Sequence, residues 1–157
     1  GSQDVTGAFL GTQVEYINFW VKTTNFYGTS ASLDVYRTQE LVFSFFLHKG
    51  QMELNSLTTL EACTLDNPTC HDTWSYEANE WYRLAIEIDW KNNKVTLVKE
   101  SDRKTKDFLN TVTSINNFKI VQHSATTYYD EIVFEKNLEI PPTLKPCIDF
   151  EYCNFNV

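Results

Sequence analysis

Apolar and polar residues alternate along this chain in short runs separated by turn formers, and that period of two predicts β-strands. From Val14 to Thr23, Glu15, Ile17, Phe19 and Val21 fall on one face, and Tyr16, Asn18, Trp20 and Lys22 on the other. Leu33 to Thr38 is a second run. Leu41 to Leu47 is a third, and its mostly apolar character predicts a central strand buried on both sides. His48-Lys49-Gly50 then predicts a hairpin into Gln51 to Asn55. The clearest hairpin follows. Leu84, Ile86, Ile88 and Trp90 share one face of Trp81 to Trp90, and Arg83, Ala85, Glu87 and Asp89 the other. Lys91-Asn92-Asn93-Lys94 makes the turn, with asparagine suited to left-handed backbone angles, and Val95 to Lys99 returns. Phe118 to His123 and Tyr128 to Glu135 complete the set. No stretch carries helical spacing.

Many short strands with few helices predict an all-β fold, either a sandwich or a barrel. Only five glycines are present, few for a barrel that must bend its strands sharply. A two-sheet antiparallel β-sandwich is therefore expected over residues 1–142. Pro141-Pro142 ends the regular pattern, because adjacent prolines cannot donate to a ladder. Residues 143–157 are expected to be a C-terminal tail or linker.

Composition narrows the function classes. With 15% aromatic and 42% hydrophobic residues in 157, the chain can bury a core, and disorder is not expected. A net charge of -8 with no basic cluster argues against nucleic acid and anionic membrane surfaces. No apolar run approaches the roughly 18 residues that a helical span needs, so no membrane insertion is expected. Gly1-Ser2 has the look of a scar left by a removed expression tag, which predicts a piece of a larger multidomain protein.

Four cysteines, Cys63, Cys70, Cys147 and Cys153, are spaced C-x6-C and C-x5-C. Two local disulfides are one reading, although four cysteines allow three connectivities. The segment from Cys63 to Cys70 holds the turn formers Asp66-Asn67-Pro68, as a loop closed by its own disulfide would. Zinc, with His71 beside Cys70, is the rival, but neither pair has the usual C-x2–4-C spacing. Disulfides point to an oxidising compartment, so an extracellular location, secreted or on a cell-surface ectodomain, is expected.

The order of the strands resembles a laminin G-like domain. Ile17-Asn18-Phe19-Trp20-Val21-Lys22-Thr23, then Leu41 through Gly50-Gln51-Met52-Glu53-Leu54, resemble the front half of that family. Glu80-Trp81-Tyr82-Arg83-Leu84-Ala85-Ile86-Glu87-Ile88-Asp89, with Val95 to Val98, resembles its central hairpin. Tyr129-Asp130-Glu131-Ile132-Val133-Phe134 resembles its closing strand. The resemblance implies a concanavalin A-like jelly roll, of the lectin-glucanase superfamily. Such domains serve adhesion, glycan binding or receptor contacts, often with a rim calcium. Two departures bear on any inherited site. Tyr128-Tyr129 stands where the family often has a glycine before the closing Asp, and the segment from Cys63 to Cys70 looks like an insertion.

Glu87 and Asp89 share a strand face, as two acids acting on a sugar would. A retaining glycosidase needs a partner carboxyl about 5 Å from its nucleophile. The next motif position is Asn92 or Asn93, so the pair reads as a solvated strand face. His48, His71 and His123 lie in turns, a loop or a strand end, without a nucleophile motif. Asp130 is the candidate calcium ligand, although its strand mates Ile132 and Phe134 suggest a half-buried structural role. Asp34, Asp66 and Asp72 are further loop acids. Aromatic residues in loops are the best binding candidates. They are Trp74 and Tyr76, with His71 nearby, and Tyr128 and Tyr129 at the opening of the last strand. Such groups suit a sugar or a protein partner equally, the latter because Trp and Tyr are common interface anchors. The sequence reads as a non-catalytic binding module for protein adhesion or assembly. A carbohydrate-binding module is the alternative, and a degenerate glycoside hydrolase the third reading.

Overall fold

The computed structural model describes residues 4–24, 29–48, 50–55, 73–122, 126–136 and 154–155. Cys63, Cys70, Cys147, Cys153, His71, Asp66, Asp72 and His123 lie outside them, as does most of 143–157. Twelve strands form two antiparallel sheets, and the described residues contain no helix. They are β1 (Asp4–Thr12), β2 (Tyr16–Thr23), β3 (Thr29–Arg37), β4 (Glu40–His48), β5 (Gln51–Leu54) and β6 (Trp74–Ser75). Then come β7 (Tyr82–Asp89), β8 (Lys94–Lys99), β9 (Asp102–Asp107), β10 (Ile115–Gln122), β11 (Thr127–Glu135) and β12 (Asn154–Phe155). One six-stranded sheet runs β1-β10-β3-β4-β5-β6 and the other β12-β11-β2-β7-β8-β9. The chain crosses between the sheets at β1–β2, β2–β3, β6–β7, β9–β10 and β10–β11. That is a jelly-roll β-sandwich.

The core forms because each strand turns its apolar alternation toward the other sheet. Ile17, Phe19 and Val21 of β2 and Leu84 and Ile86 of β7 face Leu33, Val35, Phe43, Phe45 and Leu47, all of them buried. Phe19 meets Phe45 edge-on at 5.4 Å between centroids, and Phe118 meets Phe134 at 5.1 Å, so aromatic pairs span the two layers. β4 is buried on both faces: Ser44, Phe46 and His48 are covered on the side away from the core.

The turns follow local chemistry. Gly50 takes φ 77° in the two-residue turn joining His48 to Gln51. Asn93 takes φ 56° in the β7–β8 turn. Asp89 holds that turn by accepting from the backbone N–H groups of Lys91 and Asn92, each at 3.1 Å. Along one side, Lys106 Nζ lies 3.5 Å from Oε1 of the buried Glu53, and Asn55 Nδ2 donates to the Asp107 carbonyl at 2.8 Å. These contacts tie β9 of one sheet to the β5 end of the other.

β1, β6, β9 and β12 have no counterpart among the sequence-predicted strands. β1 is an edge strand interrupted by Gly7 and Gly11. Gly7 is required, because a Cβ there would sit 2.3 Å from Cε1 of the buried Phe118. The Gly7→Ala variant is expected to lose about 1–3 kcal/mol, read as a lower urea midpoint, since the Phe118 ring is buried and packed on Phe134.

Candidate functional site

The outward residues of the β12-β11-β2-β7-β8-β9 sheet line up in rows across the strands. The register sets Tyr128 opposite Lys22 in the first row, and Asp130, Trp20 and Arg83 in the second. Val133, Asn18, Ala85, Val98 and Arg103 form the third. Glu135, Tyr16, Glu87, Thr96 and Thr105 form the fourth. On β11, β2 and β7, Val133, Asn18 and Ala85 of the third row are shorter than Trp20 and Arg83 of the second and Glu135, Tyr16 and Glu87 of the fourth. A groove across the strands is the consequence, and three hollows open along this face.

The first hollow, about 420 Å³, is lined by Asn18, Trp20, Arg83, Glu131, Val133 and Glu135, with Phe19. The Arg83 guanidinium carbon lies 5.8 Å from the Trp20 ring centroid, a cation–π stack that holds both side chains. Asn18 Nδ2 donates to Glu135 Oε2 at 3.3 Å. Partial burial raises the Glu135 carboxyl above its ordinary value. Here an indole face, a guanidinium fork, an amide and two carboxylates converge.

A bulge in β11 creates part of this site. The pairing with β2 shifts between Asp130 and Val133, and Glu131 adopts φ 52°. The extra residue reverses the expected alternation. Asp130 does not share a face with Ile132 and Phe134; those two are buried, and Asp130 points outward and is exposed. Asp130 and Glu131 then flank Trp20, and with Trp81 they line a second hollow of about 270 Å³. Among the described residues, no three His, Cys, Asp or Glu side chains converge as a metal site would require.

The third hollow, about 560 Å³, includes Tyr16, Glu87, Asp89, Lys94 and Arg103 in its lining. Arg103 clamps Glu87 through both guanidinium nitrogens, one contact being 3.1 Å, and this pairing raises Arg103 further. Asp89 is lowered chiefly by the Asn92 side chain, which donates to Oδ2 at 2.8 Å. Each acid of the Glu87/Asp89 pair therefore already has a structural partner.

The aromatic candidates from the loops separate sharply. Tyr76 and Tyr129 are each 1% exposed and belong to the core, where neither ring offers a ligand a free face. Burial pushes the Tyr129 phenol well above its ordinary value. Trp74 is partly buried against the core at β6, with Lys104 Nζ 5.2 Å and Lys99 Nζ 6.0 Å from its centroid. Tyr128, at 41% exposure, does lie on the grooved face, with Lys22 Nζ 5.0 Å from its ring. Asp34 accepts from the Ser44 hydroxyl on the other sheet, away from the groove. Trp20, Trp81, Asn18, Arg83 and Glu135 were not among the sequence candidates. The legible signal was the solvent face of Val14–Thr23, where an aromatic and an amide recur at every second position.

No family model matches the chain, and no curated protein matches it in sequence. Solved structures share its fold. A sialidase aligns at TM-score 0.63 and 10% identity, over 80% of this chain but 11% of the sialidase, so this chain spans about a tenth of that protein. A toad ovary galectin in complex with thio-digalactose aligns at TM-score 0.48 and 10% identity, over 79% of this chain and 97% of the galectin. Caenorhabditis elegans galectin LEC-6 aligns at TM-score 0.49 and 10% identity, over 80% of this chain and 89% of that one. The likeness is one of fold: a jelly-roll β-sandwich.

Proposed function

We propose that this domain binds a glycan, without catalysis, in the groove across the β11-β2-β7 face. The observation that carries the reading is the first hollow, where Trp20 stands beside Asn18, Arg83, Glu131 and Glu135. A sugar ring presents C–H groups on one face and hydroxyls around its edge. An indole covers the first, while carboxylate, amide and guanidinium groups pair with vicinal hydroxyls as acceptors and donors. The groove lies across strands spaced about 4.8 Å apart, which suits a linear oligosaccharide better than a single sugar. Glu87 and Asp89 serve structure in this reading, one clamping Arg103 and the other capping a turn. The motif order favours a laminin G-like module displayed outside the cell as part of a larger protein.

A protein partner is the second reading, favoured by the exposure of Trp81 (44%) and Tyr128 (41%). A glycan array, run with calcium and again with chelator, separates the two. Selective binding of a family of oligosaccharides is the expected result. A blank array from folded protein in both conditions would sink the glycan reading and move the search to protein partners. Loss of binding in chelator would make the binding calcium-dependent.

A further inference from the structure

We infer that the hollow lined by Trp20, Trp81, Asp130 and Glu131 binds an organic ammonium group, carried on the glycan as the free amine of a deacetylated hexosamine. The inference rests on the glycan reading for the sugar that carries the cation, but the hollow itself can be tested without any sugar.

Four side chains define it, and their chemistry is of one sign. Indole faces carry negative electrostatic potential and attract cations within about 6 Å of the ring centroid. Both indoles already hold one of the protein's own cations: Arg83 at 5.8 Å from Trp20, and Lys22 Nζ at 5.0 Å from Trp81. Neither Arg83 nor Lys22 lines this hollow. What does line it, besides the rings, is a pair of carboxylates. The Asp130 side chain is exposed and makes no hydrogen bond or ion pair among the described residues. The β11 bulge is what brings Asp130 and Glu131 to the same side of the strand. A neutral sugar stacked here would strip water from the Asp130 carboxylate and offer it only hydroxyls. An ammonium group answers that carboxylate and the rings at once.

The hollow also adjoins the first one, sharing Trp20 and Glu131 with it. A glycan seated over Asn18 and Trp20 thus reaches it with an adjacent sugar. Lys22 Nζ, 5.0 Å from the Trp81 ring centroid, repels a second cation drawn to that ring.

The test uses tryptophan fluorescence and calorimetry at constant ionic strength and mildly acidic pH, where sugar amines are protonated. The probes are tetramethylammonium, fully deacetylated glucosamine oligomers, and the matching N-acetylated oligomers. Saturable quenching by tetramethylammonium is expected, and deacetylated oligomers should bind roughly tenfold tighter than acetylated ones. Asp130→Asn should remove most of that preference, and Lys22→Gln should strengthen tetramethylammonium binding. A purely structural role for either residue would not move the two in opposite directions. If acetylated oligomers bind but tetramethylammonium does not, or the two oligomers bind equally, the inference is overturned and the glycan reading stands. If tetramethylammonium binds and no oligomer does, the hollow is a cation site and the assignment of the amine to a sugar is overturned, while the glycan array decides the glycan reading.

Discussion

Replacing Trp20 by alanine is expected to weaken glycan binding by roughly thirtyfold, the loss of about 2 kcal/mol that accompanies removal of a central aromatic anchor. Trp20 is the residue the first two hollows share along with Glu131, and it sits mid-strand on β2 between Asp130 and Arg83. Its indole is the apolar platform of the groove and the surface on which Arg83 is stacked. Truncation removes the platform and frees the guanidinium to sample other rotamers, so both stacking and hydrogen bonding to the ligand suffer. The side chain points away from the core, and the urea midpoint should move little. Calorimetric titration with the tightest array ligand measures the effect. Unchanged affinity in a folded Trp20→Ala protein would place the glycan elsewhere on the surface.

The largest stability effect is expected at Phe134. Its ring is 1% exposed and lies 5.1 Å from Phe118 and 5.5 Å from Phe9, so it joins β11 of one sheet to β10 and β1 of the other. Phe134→Ala is expected to cost about 3–5 kcal/mol, because neighbouring rings held by backbone pairing cannot collapse into the space. Against a domain stability of about 5–15 kcal/mol, that is a large share. Urea denaturation followed by fluorescence should show a lower midpoint with unchanged slope. A midpoint shift of less than about 1 kcal/mol would mean the site relaxes more freely than this packing allows. The effect should exceed that of Gly7→Ala, which crowds the same aromatic cluster without emptying it.

Much of the framework was legible in the residue pattern. The alternation of Ile17, Phe19 and Val21 against Asn18, Trp20 and Lys22 places the first set in the core and the second outside. The turn at Lys91–Lys94 and the doubly buried Leu41–Leu47 run also match the structure. These features are local, because period, turn propensity and apolar content belong to a few neighbouring residues. β9 escaped that reading for a physical reason. Its sequence, Asp102-Arg103-Lys104-Thr105-Lys106-Asp107, is polar throughout, and it is a strand because β8 offers it a ladder partner at the sheet edge.

The binding face was legible only in fragments. Local alternation is enough to tell which residues of β2 and β7 point to solvent, since side-chain direction alternates along any extended strand. It favoured loop aromatics, and the structure buries Tyr76 and Tyr129 in the core. That Asn18, Trp20 and Arg83 meet Glu131 and Glu135 follows from the pairing of β2 with β7 and β11, strands far apart in the chain. Register between strands set those rows, and register depends on long-range pairing that no local pattern encodes. The β11 bulge is the sharpest case. A single extra residue turned Asp130 from the core side to the groove, and it is visible only in the pairing of β11 with β2.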